Sequence, residues 1–296
     1  MEPHQRKPSW LRVKLPSGGN PIIAQQKRLH THLTTVCEEA RCPNMGECWN
    51  AGTATFMLMG DTCTRGCRFC SVKTAKHPPA LDKQEPENLA RTIKALKLKY
   101  VVLTTVDRDD LEDQGAGHIC RCIDIIKESV PDILVEALVP DFQGNPDLIG
   151  RIVNSRADVV GHNVECVRRL TAKVRDPRAS YNQSLEVLRL FKSLKPSLYT
   201  KSSLMVGLGE TDTEILASLS DIRRTGANFC TLGQYLQPDK TKLEVVEYIH
   251  PDKFKWYEKK GLEMGFEYVA SGPMVRSSYQ AGEHYLQAKL KKEKGH

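Results

Sequence analysis

Short apolar runs alternate with amphipathic stretches along most of this chain. From Thr53 onward, runs rich in valine, isoleucine and leucine are followed by segments whose apolar residues recur at helical spacing. This alternation is typical of repeated β-α units, which form the parallel sheet of an α/β fold. The predicted strands are residues 53–60, 100–106, 133–139, 158–163, 199–207 and 229–235, and the predicted helices are residues 87–98, 117–129, 146–154, 182–194, 212–225 and 251–264.

Six strands joined by right-handed crossovers predict a partial (β/α)6 barrel of the TIM type, open on one side. A length of 296 residues suits one such barrel with additions. We expect an N-terminal extension over residues 1–50, the barrel over residues 51–240 and a C-terminal segment over residues 241–296. The C-terminal segment contains a last apolar stretch, residues 266–275, and a basic tail. Catalytic groups of barrel enzymes sit at the carboxyl ends of the strands, so the chemistry is expected there.

Composition narrows the protein class and the compartment. The chain is 40% hydrophobic and 27% charged, and it has no apolar run of the roughly 18 residues that cross a bilayer. The basic first ten residues lack the apolar stretch of a secretory signal, whereas a trimmed organellar transit segment remains an alternative. Ten cysteines without such a signal predict a reducing compartment: the cytoplasm, or an organellar matrix if a transit segment has been removed.

Three cysteines directly follow the first predicted strand. Cys63, Cys67 and Cys70 form a C-x3-C-x2-C loop. Three thiolates on a short loop can hold three corners of a [4Fe–4S] cluster and leave the fourth iron without a protein ligand. That iron can chelate the amino and carboxylate groups of S-adenosylmethionine, whose one-electron cleavage gives a 5′-deoxyadenosyl radical. Zinc is the alternative, but it usually takes four ligands from paired elements, and this loop offers no second close pair.

A second group, Cys37, Cys42 and Cys48, lies in the predicted N-terminal extension with a C-x4-C-x5-C spacing. Alone, this spacing is compatible with zinc or with an iron–sulfur cluster. The cysteines outside both groups lack ligand spacing and are predicted to be buried as small hydrophobic residues: Cys120, Cys122, Cys166 and Cys230.

The two cysteine groups, in this order and at these spacings, resemble those of the lipoyl synthase family of radical S-adenosylmethionine enzymes. Further similar segments extend over nearly the whole chain: residues 60–70, 101–117, 135–142, 162–165, 201–211, 232–238 and 273–279. Against this pattern, Gln280-Ala281-Gly282 stands where His-Ala is more usual, and Cys166 stands where threonine is more usual.

The resemblance implies a role for each cysteine group. The first group is expected to hold the cluster that generates the radical, and the second to hold an auxiliary [4Fe–4S] cluster that donates sulfur. The family's Arg-Ser-Ser-Tyr motif, here at residues 276–279, implies that Ser278 is the fourth ligand of the auxiliary cluster. Serine oxygen is a harder and more weakly held ligand for iron than thiolate, so this corner can open while the thiolates stay bound.

Contacts to S-adenosylmethionine are also implied by the resemblance. Thr105 and Asp107, after the second strand, are expected at the methionyl amino group. Asn163 and Glu165, after the fourth strand, are expected near the ribose. Arg175 is expected at the carboxylate, which an arginine can hold through two parallel hydrogen bonds.

Simpler explanations exist for several residues of these loops. Asp109 or Asp110 can cap the following helix, and Arg175 can form a surface salt bridge. Gly207 and Gly209 can allow close approach of the backbone to adenine, or can simply make the turn after the fifth strand.

The reaction that the resemblance implies places sulfur at C6 and C8 of an octanoyl chain amide-linked to a lysine of a lipoyl carrier domain. The carrier is a dehydrogenase E2 subunit or the glycine cleavage H protein. Such domains are typically acidic, and the net charge of +7 suits electrostatic docking to them. An electron donor such as ferredoxin or flavodoxin and iron–sulfur assembly proteins are the other expected partners. We expect a monomer that binds neither nucleic acid nor membrane.

Two other classes of function compete with this interpretation. Another cluster-consuming sulfur inserter, of the biotin synthase or methylthiotransferase kind, is the nearest alternative. The N-terminal cysteine group argues against the first kind, and the lack of a C-terminal RNA-binding domain argues against the second. A zinc-stabilised nucleic-acid-binding protein would account for the cysteines and the charge, but not for six β-α units.

Overall fold

An eight-stranded sheet forms the centre of the molecule in the computed structural model, which describes residues 7–11, 33–35, 52–277 and 289. The strands of this sheet are β1 (Thr34–Thr35), β2 (Thr53–Leu58), β5 (Tyr100–Thr105), β6 (Leu134–Leu138), β7 (Val159–Gly161), β8 (Tyr199–Val206), β9 (Phe229–Gln234) and β10 (Tyr268–Gly272). Their spatial order is the same as their order in the sequence. Strand β1 is antiparallel to β2, and all the other neighbours are parallel. Two short strands, β3 (Thr62–Cys63) and β4 (Lys73–Thr74), pair separately.

Helices follow the parallel strands, as the sequence predicts. They are α1 (Glu85–Ala95), α2 (Ala116–Ser129), α3 (Pro146–Val153), α4 (Thr171–Val174), α5 (Tyr181–Leu194), α6 (Asp212–Arg224) and α7 (Pro251–Glu263). Among the described residues, no helix has both the length and the apolar character needed to span a membrane.

The prediction of an open α/β barrel is confirmed, and all six predicted strands are present. The sheet also has a seventh parallel strand, β10, in the apolar stretch 266–275, where the sequence analysis assigned no strand. Tyr268 pairs with Phe229 and Gly272 with Gly233, so part of the predicted C-terminal segment completes the barrel sheet. The domain boundaries themselves stay a prediction.

Alternation along the strands divides the interior in two. Val101 and Leu103 of β5 belong to the large core beneath the helices. Tyr100 and Val102 point to the opposite face, where they form a separate buried cluster with Phe229 and neighbouring residues. Among the described residues, this apolar cluster fills the end of the barrel where the strands begin, which leaves their carboxyl ends for an open site.

A buried ion pair follows the apolar cluster on the inner face of the sheet. Lys201 Nζ lies 2.8 Å from Glu136 Oε1, and the Tyr100 hydroxyl donates to Glu136 Oε2 at 2.7 Å. Burial of two charges is tolerated when they pair with each other and their remaining hydrogen-bonding capacity is used. These contacts tie β5, β6 and β8 together below the candidate site.

Candidate functional site

The loop with Cys63, Cys67 and Cys70 begins at a tight turn after β2. Met59 has a φ of 69° and Gly60 a φ of 88°, both in the left-handed region. The pairing of β3 with β4 then closes the base of the loop. The cysteines therefore lie at the carboxyl edge of the barrel, where the sequence analysis expected the chemistry.

Backbone N–H groups lie within hydrogen-bonding distance of the Cys63 and Cys67 sulfur atoms. The amides of Arg65 and Asp107 each lie 3.3 Å from Cys63 Sγ, and the amide of Asp176 lies 3.3 Å from Cys67 Sγ. Burial raises the pKa of Cys63 to about 12 and that of Cys67 to about 11. Free thiols with such pKa values are poor nucleophiles at neutral pH, whereas a bound metal deprotonates its thiol ligands. The environment therefore suits metal ligands better than nucleophilic cysteines.

A cavity of about 190 Å³ lies beside these cysteines. It brings together the three cysteines and the five residues predicted to contact S-adenosylmethionine: Cys63, Cys67, Cys70, Thr105, Asp107, Asn163, Glu165 and Arg175. The contacts of each residue to S-adenosylmethionine stay predictions. The other predicted ligands lie outside the described residues: Cys37, Cys42, Cys48 and Ser278.

Arg175 lines this cavity and is almost completely buried. Its residue is only 7% exposed, and its Nη1 donates to Ser184 Oγ at 2.7 Å and to the Val164 carbonyl at 3.4 Å. Its Nε is buried and has no hydrogen-bond partner among the described residues. The alternative of a surface salt bridge is therefore wrong. A buried donor without a partner is costly, and an anionic ligand such as a carboxylate would satisfy it.

We predict that Arg175→Lys binds S-adenosylmethionine about 10- to 100-fold more weakly, because a hydrogen bond to a charged group contributes about 1.5–3 kcal/mol and lysine lacks the planar Nε–H donor. Equilibrium binding to the reconstituted protein measures the loss. Arg169→Lys is the matched control, since Arg169 pairs with Glu214 on the surface at 2.6 Å. Equal affinities in the two variants would contradict the proposed contact. Thermal unfolding of both variants checks that loss of the hydrogen bond to Ser184 has not destabilised the fold and thereby weakened binding.

Glu165 lines the same cavity as Arg175 and is held by a hydrogen bond from Asn163. Asn163 Nδ2 donates to Glu165 Oε1 at 3.1 Å, and the Glu165 amide donates to the Ser203 carbonyl at 3.0 Å. Glu165 has a φ of 72°, an unusual conformation for a residue other than glycine. Such a conformation persists only where the surroundings fix it, so the Glu165 carboxylate is preorganised at the cavity.

Arg65 joins the cysteine loop to two neighbouring strand ends. Its side chain is 3% exposed and lies 2.7 Å from Asp141, 2.7 Å from Asp109 and 3.5 Å from Asp107. Burial raises the pKa of Asp107 to about 6 against the attraction of Arg65. Burial also acts to raise the pKa of Asp109, but hydrogen bonds from Arg65 and Thr64 outweigh it and lower this pKa to about 2. One guanidinium thus fixes the position of the loop relative to the cavity wall.

The sequence analysis missed this role of Arg65, and its alternative for the neighbouring aspartates is wrong. Asp109 binds Arg65, and Asp110 lies 2.8 Å from Arg108. Neither caps a helix, because α2 begins at Ala116 after Gly115. The available signal was a cation inside the cysteine loop together with carboxylates after two successive strands, whose ends meet at one edge of the barrel.

Gly207 is required by packing within the protein. Its φ is 102°, and an added Cβ would lie 2.1 Å from Gln234 Nε2 and 2.5 Å from the Glu247 carbonyl oxygen. This geometry favours the turn explanation over an approach to adenine.

A second group of potential metal ligands, Glu85, His118 and Cys122, lies behind the cysteine loop. Glu85 Oε2 accepts a hydrogen bond from the Met59 amide at 2.9 Å and lies 2.6 Å from His118 Nε2. These bonds hold the strained Met59 turn and account for the group without a metal. Cys122, Cys166 and Cys230 are buried as predicted, but Cys120 is half-exposed, because it lies on the outer edge of α2.

Comparison with known proteins supports a radical S-adenosylmethionine site in this cavity. The family model described as the Radical SAM superfamily matches residues 57–222. "Lipoyl synthase, mitochondrial" from Schizosaccharomyces japonicus is 56% identical over 288 residues, which are 96% of this chain and 76% of that protein. "Lipoyl synthase, apicoplast" from Plasmodium knowlesi is 53% identical over 293 residues, which are 98% of this chain and 66% of that protein. The crystal structure of HydG, a maturase of the [FeFe]-hydrogenase, shares the fold with a TM-score of 0.59 at 13% identity over 84% of this chain and 61% of that chain.

Membership of the radical SAM superfamily implies one [4Fe–4S] cluster and S-adenosylmethionine. The residues at the cavity fit both, since they offer three thiol ligands, backbone donors to sulfur and an unused buried guanidinium N–H. The match covers more than half of the chain, and the high identity extends over nearly all of it. The chain belongs to the lipoyl synthase family of radical S-adenosylmethionine enzymes.

Proposed function

We propose that this chain inserts two sulfur atoms, at C6 and C8, into an octanoyl chain amide-linked to a lysine of a lipoyl carrier protein. The observation that carries the proposal is the single cavity lined by the three loop cysteines and by all five residues expected to contact S-adenosylmethionine. Cys63, Cys67 and Cys70 would hold the cluster, which when bound would supply the electron for release of a 5′-deoxyadenosyl radical that can abstract hydrogen from unactivated C–H bonds.

Different residues of the cavity are proposed to bind different parts of S-adenosylmethionine. Arg175 holds the carboxylate through its free Nε–H, and Thr105 and Asp107 contact the amino group. The preorganised Glu165 carboxylate accepts hydrogen bonds from the ribose hydroxyls, and the Asn163 amide accepts or donates hydrogen bonds there. Such an arrangement would hold the sulfonium beside the three cysteine sulfurs, because all these side chains line the same cavity.

A second [4Fe–4S] cluster, held by Cys37, Cys42, Cys48 and Ser278, is proposed as the sulfur donor. The last described residues support its position at the mouth of the barrel. Arg276 Nη1 lies 3.5 Å from the carbonyl oxygen of Gln234, the last residue of β9, and the Val275 carbonyl packs closely against Gly233. The chain therefore crosses the carboxyl edge of the sheet just before Ser278.

We predict that Ser278→Cys retains the auxiliary cluster but slows or blocks sulfur insertion, because a thiolate holds iron more tightly than the serine oxygen does. Ser277→Ala, one residue earlier, is the matched control and should form product nearly as well as the wild type. Iron content and lipoyl product by mass spectrometry are the measurements. Full product formation by Ser278→Cys would show that a weakly bound corner is not required.

The names of the relatives also bear on location and partners. Both relatives are named for organelles, one for the mitochondrion and one for the apicoplast. This favours an organellar matrix over the cytoplasm for this chain. The proposed partners are an octanoylated carrier, either a dehydrogenase E2 subunit or the glycine cleavage H protein, together with ferredoxin or flavodoxin and iron–sulfur assembly proteins.

Anaerobic reaction of the reconstituted protein with an octanoyl-lysine peptide, S-adenosylmethionine and dithionite tests the proposal. Mass spectrometry should show the peptide with two sulfur atoms added. Metal analysis should show roughly eight iron atoms per chain, as two clusters require. An unchanged peptide would contradict the proposed reaction, and one or two zinc atoms in place of iron would support the nucleic-acid-binding alternative.

A further inference from the structure

The outer face of the cysteine loop offers a short path from solvent to the proposed cluster. Cys67, Phe69 and Cys70 line the cavity, whereas the intervening Gly66 and Arg68 are exposed. Only the thickness of this loop separates the cysteine sulfurs from solvent on that side. An electron can cross such a layer, whereas an acyl chain needs an opening.

Positive charge is concentrated beside this part of the loop. Four cations form the rim patch: Arg68, Lys173, Lys240 and Lys242. The Arg68 amide donates to the Val174 carbonyl at 2.9 Å, its carbonyl accepts from the Leu243 amide at 3.1 Å, and its Nη1 lies 3.4 Å from the Lys173 carbonyl. These contacts place α4, which carries Lys173, and the loop that carries Lys240 and Lys242 next to Arg68.

The charges of the rim patch are not neutralised within the described part of the chain. None of its four members forms an ion pair there with a carboxylate, whereas Arg65, Lys73 and Arg178 on the same edge all do. Two exposed carboxylates, Asp239 and Glu244, lie on the same loop as Lys240 and Lys242, and Asp239 accepts hydrogen bonds from Thr241. Four cations against two carboxylates leave this surface positive.

We propose that the rim patch is the docking surface for an acidic one-electron carrier protein, an inference that rests on the proposed function. The reduced carrier loses one electron, and the cluster held by Cys63, Cys67 and Cys70 gains it. That electron is then used to cleave one S-adenosylmethionine, so the carrier must dock, transfer and leave for every radical formed. Surface charges of opposite sign accelerate such short encounters without making them tight.

The position of the rim patch favours an electron carrier over the lipoyl carrier, although both are acidic. The octanoyl chain must enter the cavity, and none of the four cations lines that cavity. Electron transfer needs only proximity to the cluster, which Arg68 provides because it lies between Cys67 and Cys70 in the sequence.

The double charge reversal Arg68→Glu/Lys173→Glu in the reconstituted enzyme tests the proposal. Binding of an acidic flavodoxin, measured by calorimetry at low ionic strength, should weaken about 10-fold or more. Formation of 5′-deoxyadenosine should fall with flavodoxin as the reductant but stay unchanged with dithionite, which needs no docking surface. Lys94→Glu/Lys99→Glu is the matched control, since both lysines are exposed near the opposite end of the barrel.

Wild-type affinity of the reversed variant for flavodoxin would overturn the proposal. If that result came with a raised KM for the octanoylated carrier, the rim patch would be assigned to the lipoyl carrier instead. Failure of the proposed function itself would look different, because the wild-type enzyme would then form no lipoyl product even with dithionite.

Discussion

Replacing any one of Cys63, Cys67 and Cys70 by alanine is expected to abolish formation of 5′-deoxyadenosine under reducing, anaerobic conditions. Each variant leaves two thiolates on the loop, and two cannot hold a cluster that offers a single open iron. The three side chains line one cavity with Arg175, so loss of the cluster also removes the metal that would chelate S-adenosylmethionine. Chromatographic assay of 5′-deoxyadenosine gives the yield directly.

Cys120→Ala is the control for this series. Cys120 is half-exposed on α2, does not line the cavity and bonds only weakly to the Arg151 carbonyl at 3.5 Å, so its loss should leave the yield unchanged. Thermal unfolding of all four variants separates a lost cluster from a lost fold. Normal yields from any of the three loop variants would remove the assignment of radical generation to this loop.

The barrel could be predicted from the sequence because its strands and helices are long and regularly patterned. Strand β5, for example, was predicted as residues 100–106 and observed as Tyr100–Thr105. A strand buried on both faces and followed by an amphipathic helix is the pattern that distinguishes a β-α unit. Strand β10 has the same apolar character, but its partner in the sheet is fixed by the register with β9, which a local pattern does not encode.

The candidate site was only partly accessible from the sequence. Spacing identifies the loop cysteines, since three thiols on one turn of chain need no tertiary contact to be neighbours. Arg175 and Glu165 were expected at the site through family resemblance, and the structure places both on the cavity. Without the structure, Arg175 could not be distinguished from a surface charge, because its burial and the lack of a partner for its Nε within the described part of the chain depend on tertiary packing.

Contacts between distant segments account for what was missed. Arg65 meets Asp141 across 76 positions of sequence, and Glu85 meets His118 across 33. Each of these residues has a simple local explanation when considered alone. Their roles arise because parallel strands bring successive loops to one edge of the barrel, where one buried side chain can contact several of them.

The Cys37→Ala/Cys42→Ala/Cys48→Ala variant is expected to keep forming 5′-deoxyadenosine while forming no lipoyl product. The residues proposed for radical formation are the three loop cysteines and five residues of later strand ends, and all of them line one cavity. We therefore expect cleavage of S-adenosylmethionine to proceed without the second group. Sulfur insertion is expected to depend on the second group, because the auxiliary cluster is the proposed sulfur donor.

Three measurements on this variant together test whether the two cysteine groups have separate roles in radical formation and sulfur insertion. Iron should fall from roughly eight to roughly four atoms per chain, because one of two clusters is lost. The yield of 5′-deoxyadenosine should remain close to that of Cys120→Ala, and mass spectrometry should show no peptide with added sulfur. If lipoyl peptide still formed, the sulfur would have to come from another source. If 5′-deoxyadenosine disappeared as well, the second cysteine group would be needed to build the radical site, and the two groups could not be assigned separate roles.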